Sequence, residues 1–90
     1  KIGEGSVVMH GAIIGPNVII GKNCIINSNS IIEHGSRISD NVHVATSVTI
    51  NSSVVIGSGS FVGSGSVIRQ TIKLRENSFV KMGSIITHDQ

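Results

Sequence analysis

Residues 12–32 read Ala-Ile-Ile-Gly-Pro-Asn-Val-Ile-Ile-Gly-Lys-Asn-Cys-Ile-Ile-Asn-Ser-Asn-Ser-Ile-Ile, and the second isoleucine of each pair returns every six residues. Extended in both directions, the same phase collects Ile2, Val8, Ile14, Ile20, Ile26, Ile32, Ile38, Val44, Ile50, Ile56, Val62, Ile68, Leu74, Val80 and Ile86. All fifteen are Ile, Val or Leu, without gap or insertion, in a chain where those three residues make up only about a third of the positions. Such a fixed period marks a repeat architecture. Six is not a helical period, and within each unit the pattern is strand-like. The residue four places further on is small or aliphatic, as at Ser6, Ala12, Val18, Cys24, Ser30 and Ser36. Between the two stand turn-formers such as Gly3-Glu4-Gly5, Gly15-Pro16-Asn17 and Gly57-Ser58-Gly59.

The expected structure is a short strand and a sharp corner, three times per coil. Eighteen residues complete one triangular turn, and 90 residues make about five coils stacked at the roughly 4.8 Å spacing of paired strands. The fold class is all-β, a parallel β-helix forming one domain over residues 1–90. Large aliphatics fill its interior, and small inward residues let the corners close. One coil cannot bury its apolar side, so stacking supplies the stability. Composition agrees: aromatics are 2% while hydrophobic residues reach 39%, with 11 Gly and one Pro. An interior without bulky rings must be built from uniform aliphatic layers.

The outward residues sort by face. One face carries Lys1, Ile19, Arg37, Val55 and Lys73 and is expected to be solvated. A second carries Val7, Ile25, His43, Phe61 and Phe79, and a third Ile13, Ile31, Thr49, Val67 and Ile85. Apolar residues pointing away from the core mark interfaces. Two such faces beside a wet one suit a closed three-fold assembly, so a homotrimer is expected. The net charge of +2 comes from scattered Lys and Arg, which is no nucleic-acid footprint. A single cysteine excludes an internal disulfide and fits a reducing, cytoplasmic setting. No apolar run approaches membrane-spanning length and no signal peptide is evident, so neither a membrane nor a nucleic acid is an expected partner. The chain opens at Lys1, already in repeat phase at Ile2, and reads as part of a longer protein.

Two positions break the pattern. Glu33-His34 occupy a corner where Gly, Asn, Ser or Asp is the norm, and His43 interrupts an apolar face. Local inconsistency of this kind concentrates at functional sites. The segment Cys24-Ile25-Ile26-Asn27, followed by Ile32-Glu33-His34 and Asp40-Asn41-Val42-His43-Val44, resembles the NeuD/PglD group of hexapeptide-repeat sugar acetyltransferases. The resemblance follows the repeat through the whole chain, with its discriminating part between Cys24 and His43. It implies the left hand of the coil, which general crossover rules would not give. It also implies a bacterial enzyme that moves acetyl from acetyl-CoA to the amine of a nucleotide-linked amino sugar or to a sialic acid hydroxyl.

Carried over by position, the resemblance implies His34 as general base, Glu33 as its orienting partner, His43 as a contact to the thioester carbonyl, and Asn27 lining the same pocket. The residue types suit the chemistry. A neutral imidazole accepts a proton near physiological pH, and a carboxylate on its other nitrogen fixes the tautomer. Direct attack on the thioester needs no enzyme nucleophile. Lys73, Arg75 and Lys81 are candidates for the CoA phosphates, or else ordinary solvated charges. The chain departs from the family at Thr46-Ser47, where Pro-Gly is common. It departs again at Ser52, where a Gly N–H would face the oxyanion and a non-Gly residue would meet the cost of positive φ. The group's N-terminal nucleotide-sugar-binding domain is not in this sequence.

Spacing adds a geometric expectation. His34 and His43 are nine residues apart, half a coil, and so lie on opposite sides of one prism; a shared site must join two subunits. Asn27, sixteen residues before His43, is expected almost beneath it. Cys24 reads as structural and Phe61 and Phe79 as an aromatic ladder at an interface, while His10 and His88 lack supporting partners. The Gly-Ser-Gly corners need no phosphate to explain them. Two other classes remain open. One is a non-catalytic β-helix scaffold. The other is a γ-type carbonic anhydrase, for which a third zinc-ligating histidine is missing near His34 and His43, so no metal is expected.

Overall fold

A computed structural model describes residues 1–90. The chain forms fourteen two-residue strands, three per turn, in a left-handed parallel β-helix of just under five coils. Numbered in chain order, one five-stranded sheet contains β1 (Val7–Val8), β4 (Ile25–Ile26), β7 (His43–Val44), β10 (Phe61–Val62) and β13 (Phe79–Val80). A second contains β2 (Ile13–Ile14), β5 (Ile31–Ile32), β8 (Thr49–Ile50), β11 (Val67–Ile68) and β14 (Ile85–Ile86). The third holds β3 (Ile19–Ile20), β6 (Arg37–Ile38), β9 (Val55–Ile56) and β12 (Lys73–Leu74), extended by a bridge from Ile2 to Ile20. We call these the histidine, apolar and basic sheets. Every pairing joins residues eighteen apart, as in Ile25↔His43↔Phe61↔Phe79. The three outward faces read from the sequence are therefore the three sheets.

Each strand's second residue points inward. From Ile20 to Ile86 all twelve repeat positions are buried, whereas Ile2 and Val8 are exposed and Ile14 is half-buried. The first coil has a neighbour on one side only, so its aliphatics are covered on one side only. Stacking, not the single coil, makes the core.

The small inward residues do more than leave room. The buried Ser36 hydroxyl donates to the Asn51 carbonyl at 2.8 Å and accepts the Val54 N–H at 3.1 Å. Ser30 repeats the arrangement with Ala45 and Val48, Ser60 with Arg75 and Ser78, and Ser66 with Lys81 and Ser84. Each hydroxyl satisfies a carbonyl fifteen residues on and an amide eighteen residues on, where the corner interrupts the strand ladder. Unmade, such buried bonds would leave backbone groups orphaned. Cys24 stands in the same place: its thiol donates to the Ser39 carbonyl at 3.0 Å. It is buried and free, a structural residue as its position suggested.

At every corner, from residue 5 to residue 83, the second turn residue is left-handed. Six are Gly, five Asn, and the others Ser47, Ser53 and Thr71. Gly and Asn are the residues that tolerate positive φ, which is the physical content of the corner composition. Thr71, at φ 63°, is a β-branched outlier. Replacing it with Asn is expected to raise stability by about 1 kcal/mol, read as a higher denaturant midpoint at unchanged slope. No helix here is long and apolar enough to cross a membrane.

Candidate active site

His34 is the first residue of a corner joining β5 to β6, between the apolar and basic sheets. Its backbone is fixed. The Glu33 N–H donates to Ile50 O at 2.9 Å, the His34 carbonyl accepts the Ser53 N–H at 3.0 Å, and Gly35 supplies the left-handed turn. Both side chains are exposed, and neither makes a hydrogen bond within the chain. The carboxylate–imidazole contact that the resemblance implies is thus not formed in one chain. What the fold provides is an imidazole and a carboxylate displayed side by side on a rigid corner.

His43 is placed differently. It faces outward from β7 on the histidine sheet, half-buried between Ile25 and Phe61 in register. Its ring meets Phe61 edge to face, with centroids 5.2 Å apart and planes at 89°. Its Nε2 is buried without a hydrogen-bond partner. The histidine sheet lies across the prism from the corner that carries His34, on a body whose cross-section measures 22 × 21 Å. The two histidines therefore cannot act on one small group from within one chain, as their spacing indicated.

Asn27 lies on the coil below His43, as its spacing indicated. It follows β4 two residues beyond Ile25, the direct lower neighbour of His43, and its own upper neighbour is Ala45. Asn27 is half-buried, with Oδ1 accepting the Ser28 N–H at 2.8 Å, so it borders the histidine sheet near His43 instead of stacking on it. Ser52 needs a correction. It does lie one coil above His34, but the positive φ, 57°, belongs to Ser53. The turn places its left-handed residue second, so Ser52 avoids the expected strain and the argument against its N–H as an oxyanion donor disappears. Ser47, at φ 56°, takes the left-handed position where the family commonly has Gly.

The three cations are not gathered. Lys73 stands in β12 of the basic sheet and Arg75 just beyond it, while Lys81 lies beyond β13 on the far edge of the histidine sheet; all three are exposed. A shallow depression of about 340 Å³ lies on the basic sheet, lined by Ile19, Arg37, Asp40 and Ser58 among others, and contains none of the expected site residues. No three His, Cys, Asp or Glu side chains converge within the chain. The His43–Phe61 contact was missed in the sequence, although their eighteen-residue spacing signals it.

The description "bacterial transferase hexapeptide (six repeats)" fits residues 1–34 and 35–70, and "hexapeptide repeat of succinyl-transferase" fits residues 53–88. The chain belongs to the bacterial hexapeptide transferase family. No curated relative matches it in sequence. Among solved structures, it is similar to the acetyltransferase domain of PglB from Neisseria gonorrhoeae, with a TM-score of 0.97 and 26% identity over 98% of this chain and 43% of that one. The same domain in complex with acetyl coenzyme A gives a TM-score of 0.95 at 25% identity, again over 98% and 43%. A perosamine N-acetyltransferase from Caulobacter crescentus, in complex with CoA and GDP-perosamine, gives 0.75 at 16% identity over 98% and 49%; at that identity the likeness concerns the fold. The hexapeptide chain thus spans less than half the length of each of these structures.

Proposed function

We propose that this β-helix is the catalytic part of an acetyl-CoA-dependent acetyltransferase acting on an amine or hydroxyl of a sugar, a nucleotide-linked amino sugar or a sialic acid. The observation that carries the reading is the near-complete superposition on an acetyltransferase domain that binds acetyl-CoA, joined to Glu33-His34 standing out of pattern at a corner. In this reading the acceptor nitrogen or oxygen attacks the thioester carbonyl carbon while His34 takes its proton. The C–S bond then breaks, and the proton passes to the departing CoA sulfur. Glu33 orients the imidazole once substrate or a neighbouring subunit closes the corner. Each His43 donates to the acyl oxygen, with the Ser52 N–H and Asn27 nearby, and Lys73, Arg75 or Lys81 meets the CoA phosphates.

Because His34 and His43 lie on opposite sides of one prism, the site forms between subunits. The exposed apolar side chains Val7, Ile25 and Phe79 on the histidine sheet, and Ile13, Val67 and Ile85 on the apolar sheet, supply the unlike surfaces of a homotrimer. The expected protein is bacterial and cytoplasmic.

The deciding measurement is calorimetric titration of acetyl-CoA, after light scattering has fixed the oligomer. A trimer binding near one acetyl-CoA per chain, weakened by His43→Ala, is the expected result. A clean trimer giving no heat would remove the catalytic reading for this chain and leave an assembly scaffold. Metal analysis of the same sample separates the γ-type carbonic anhydrase alternative.

A further inference from the structure

The environment of His43 carries more than its position. A neutral imidazole has one proton to place on two nitrogens. Nε2 is sealed from solvent and has no partner. Nδ1 makes no hydrogen bond in the chain and is not among the sealed atoms, so it reaches the surface of the histidine sheet. The register neighbours of the ring are Ile25 below and Phe61 above, neither of which offers an acceptor. A buried N–H with no acceptor is the rarer and costlier kind of orphan. The proton therefore belongs on Nδ1, with the bare lone pair of Nε2 turned inward. The opposite tautomer would have to rely on Nε2–H against an aromatic face, a second-order contact.

Phe61 holds this arrangement. It meets His43 edge to face at 5.2 Å and is itself stacked on Phe79, centroids 5.3 Å apart and planes at 18°. The ladder packs against the upper side of the imidazole, whose Nε2 is buried. We infer that Phe61 is a positioning residue for His43: it holds the imidazole as the Nδ1–H tautomer and so presents Nδ1–H, not Nε2–H, as the donor to an acyl carbonyl oxygen. The identity of that oxygen rests on the acetyl-transfer reading above; the tautomer does not.

Long-range 1H–15N correlations of the imidazoles in the whole 90-residue chain test it, at about pH 8 where an ordinary imidazole is neutral. Wild type and Phe61→Tyr, which keeps the ring, are expected to show Nδ1 protonated and Nε2 bare. Phe61→Leu is expected to average the two tautomers. In turnover, Phe61→Leu should lower kcat about tenfold while KM for acetyl-CoA stays within about twofold, and Phe61→Tyr should restore it. Protonated Nε2 in wild type, or a single unchanged tautomer in Phe61→Leu, overturns the inference whether or not acetyl-CoA binds. If the tautomers behave as stated but acetyl-CoA leaves the His43 signals unmoved, the donor role fails with the acetyl-transfer reading and the hold of Phe61 on the tautomer stands.

Discussion

His34→Ala is expected to lower kcat for acetyl transfer by about 10²–10⁴-fold, the contribution of one positioned general base. The same substitution should leave thermal stability and acetyl-CoA affinity almost unchanged. Its side chain is exposed and makes no hydrogen bond within the chain, while the corner is held by backbone bonds to Ile50 and Ser53 that alanine keeps. Loss of kcat without loss of binding is the signature of an interaction made in the transition state. Glu33→Gln should cost less, because it removes the orienting charge and leaves the base itself in place. A single-turnover assay with saturating acetyl-CoA reads the effect. Unchanged turnover in His34→Ala would remove the corner from the chemistry and leave Glu33-His34 as surface decoration.

The fold was legible because one physical requirement, an aliphatic inside every corner-to-corner segment, recurs at fifteen positions without a break. The same period sorted Lys1, Val7 and Ile13 and their successors into the three sheets, since a strict eighteen-residue coil leaves the register no freedom. Backbone placement was therefore readable to the residue, and side-chain disposition was not. The strain assigned to Ser52 belongs to Ser53 because Ser stands at both turn positions of that corner; elsewhere a Gly or Asn, as at Gly5, Gly11, Asn17 and Asn23, marks the left-handed one. Glu33 and His34 were paired by motif, and rotamers on an exposed corner follow no period. The serine hydroxyls that bridge successive coils were seen only as small residues, because size and hydrogen bonding select the same side chain there.

Mixing two inactive variants should restore activity. His34 sits on the corner between the apolar and basic sheets and His43 on the histidine sheet opposite, so on the proposed reading each site of a trimer draws one histidine from each of two neighbours. Chains carrying His34→Ala and chains carrying His43→Ala, unfolded together in equal amounts and refolded, assort at random. A site is intact when its His34 comes from the second kind and its His43 from the first, which happens with odds of one half times one half, or about a quarter of wild-type activity. Were both histidines to serve a site inside one chain, the mixture would contain no intact site and stay as inactive as its parents. A companion mixture sharpens the contrast. Wild type reassembled with an equal amount of the double variant His34→Ala/His43→Ala should again give about a quarter of full activity if the site spans two subunits. It should give about half if the site lies within one chain, because every wild-type chain would then keep its own. The two mixtures differ only in how the same four alleles are distributed between chains, so a fault in folding or cofactor binding lowers both alike. Equal recovery in both mixtures therefore reports the geometry of the site, independent of how strongly either histidine contributes to the chemistry.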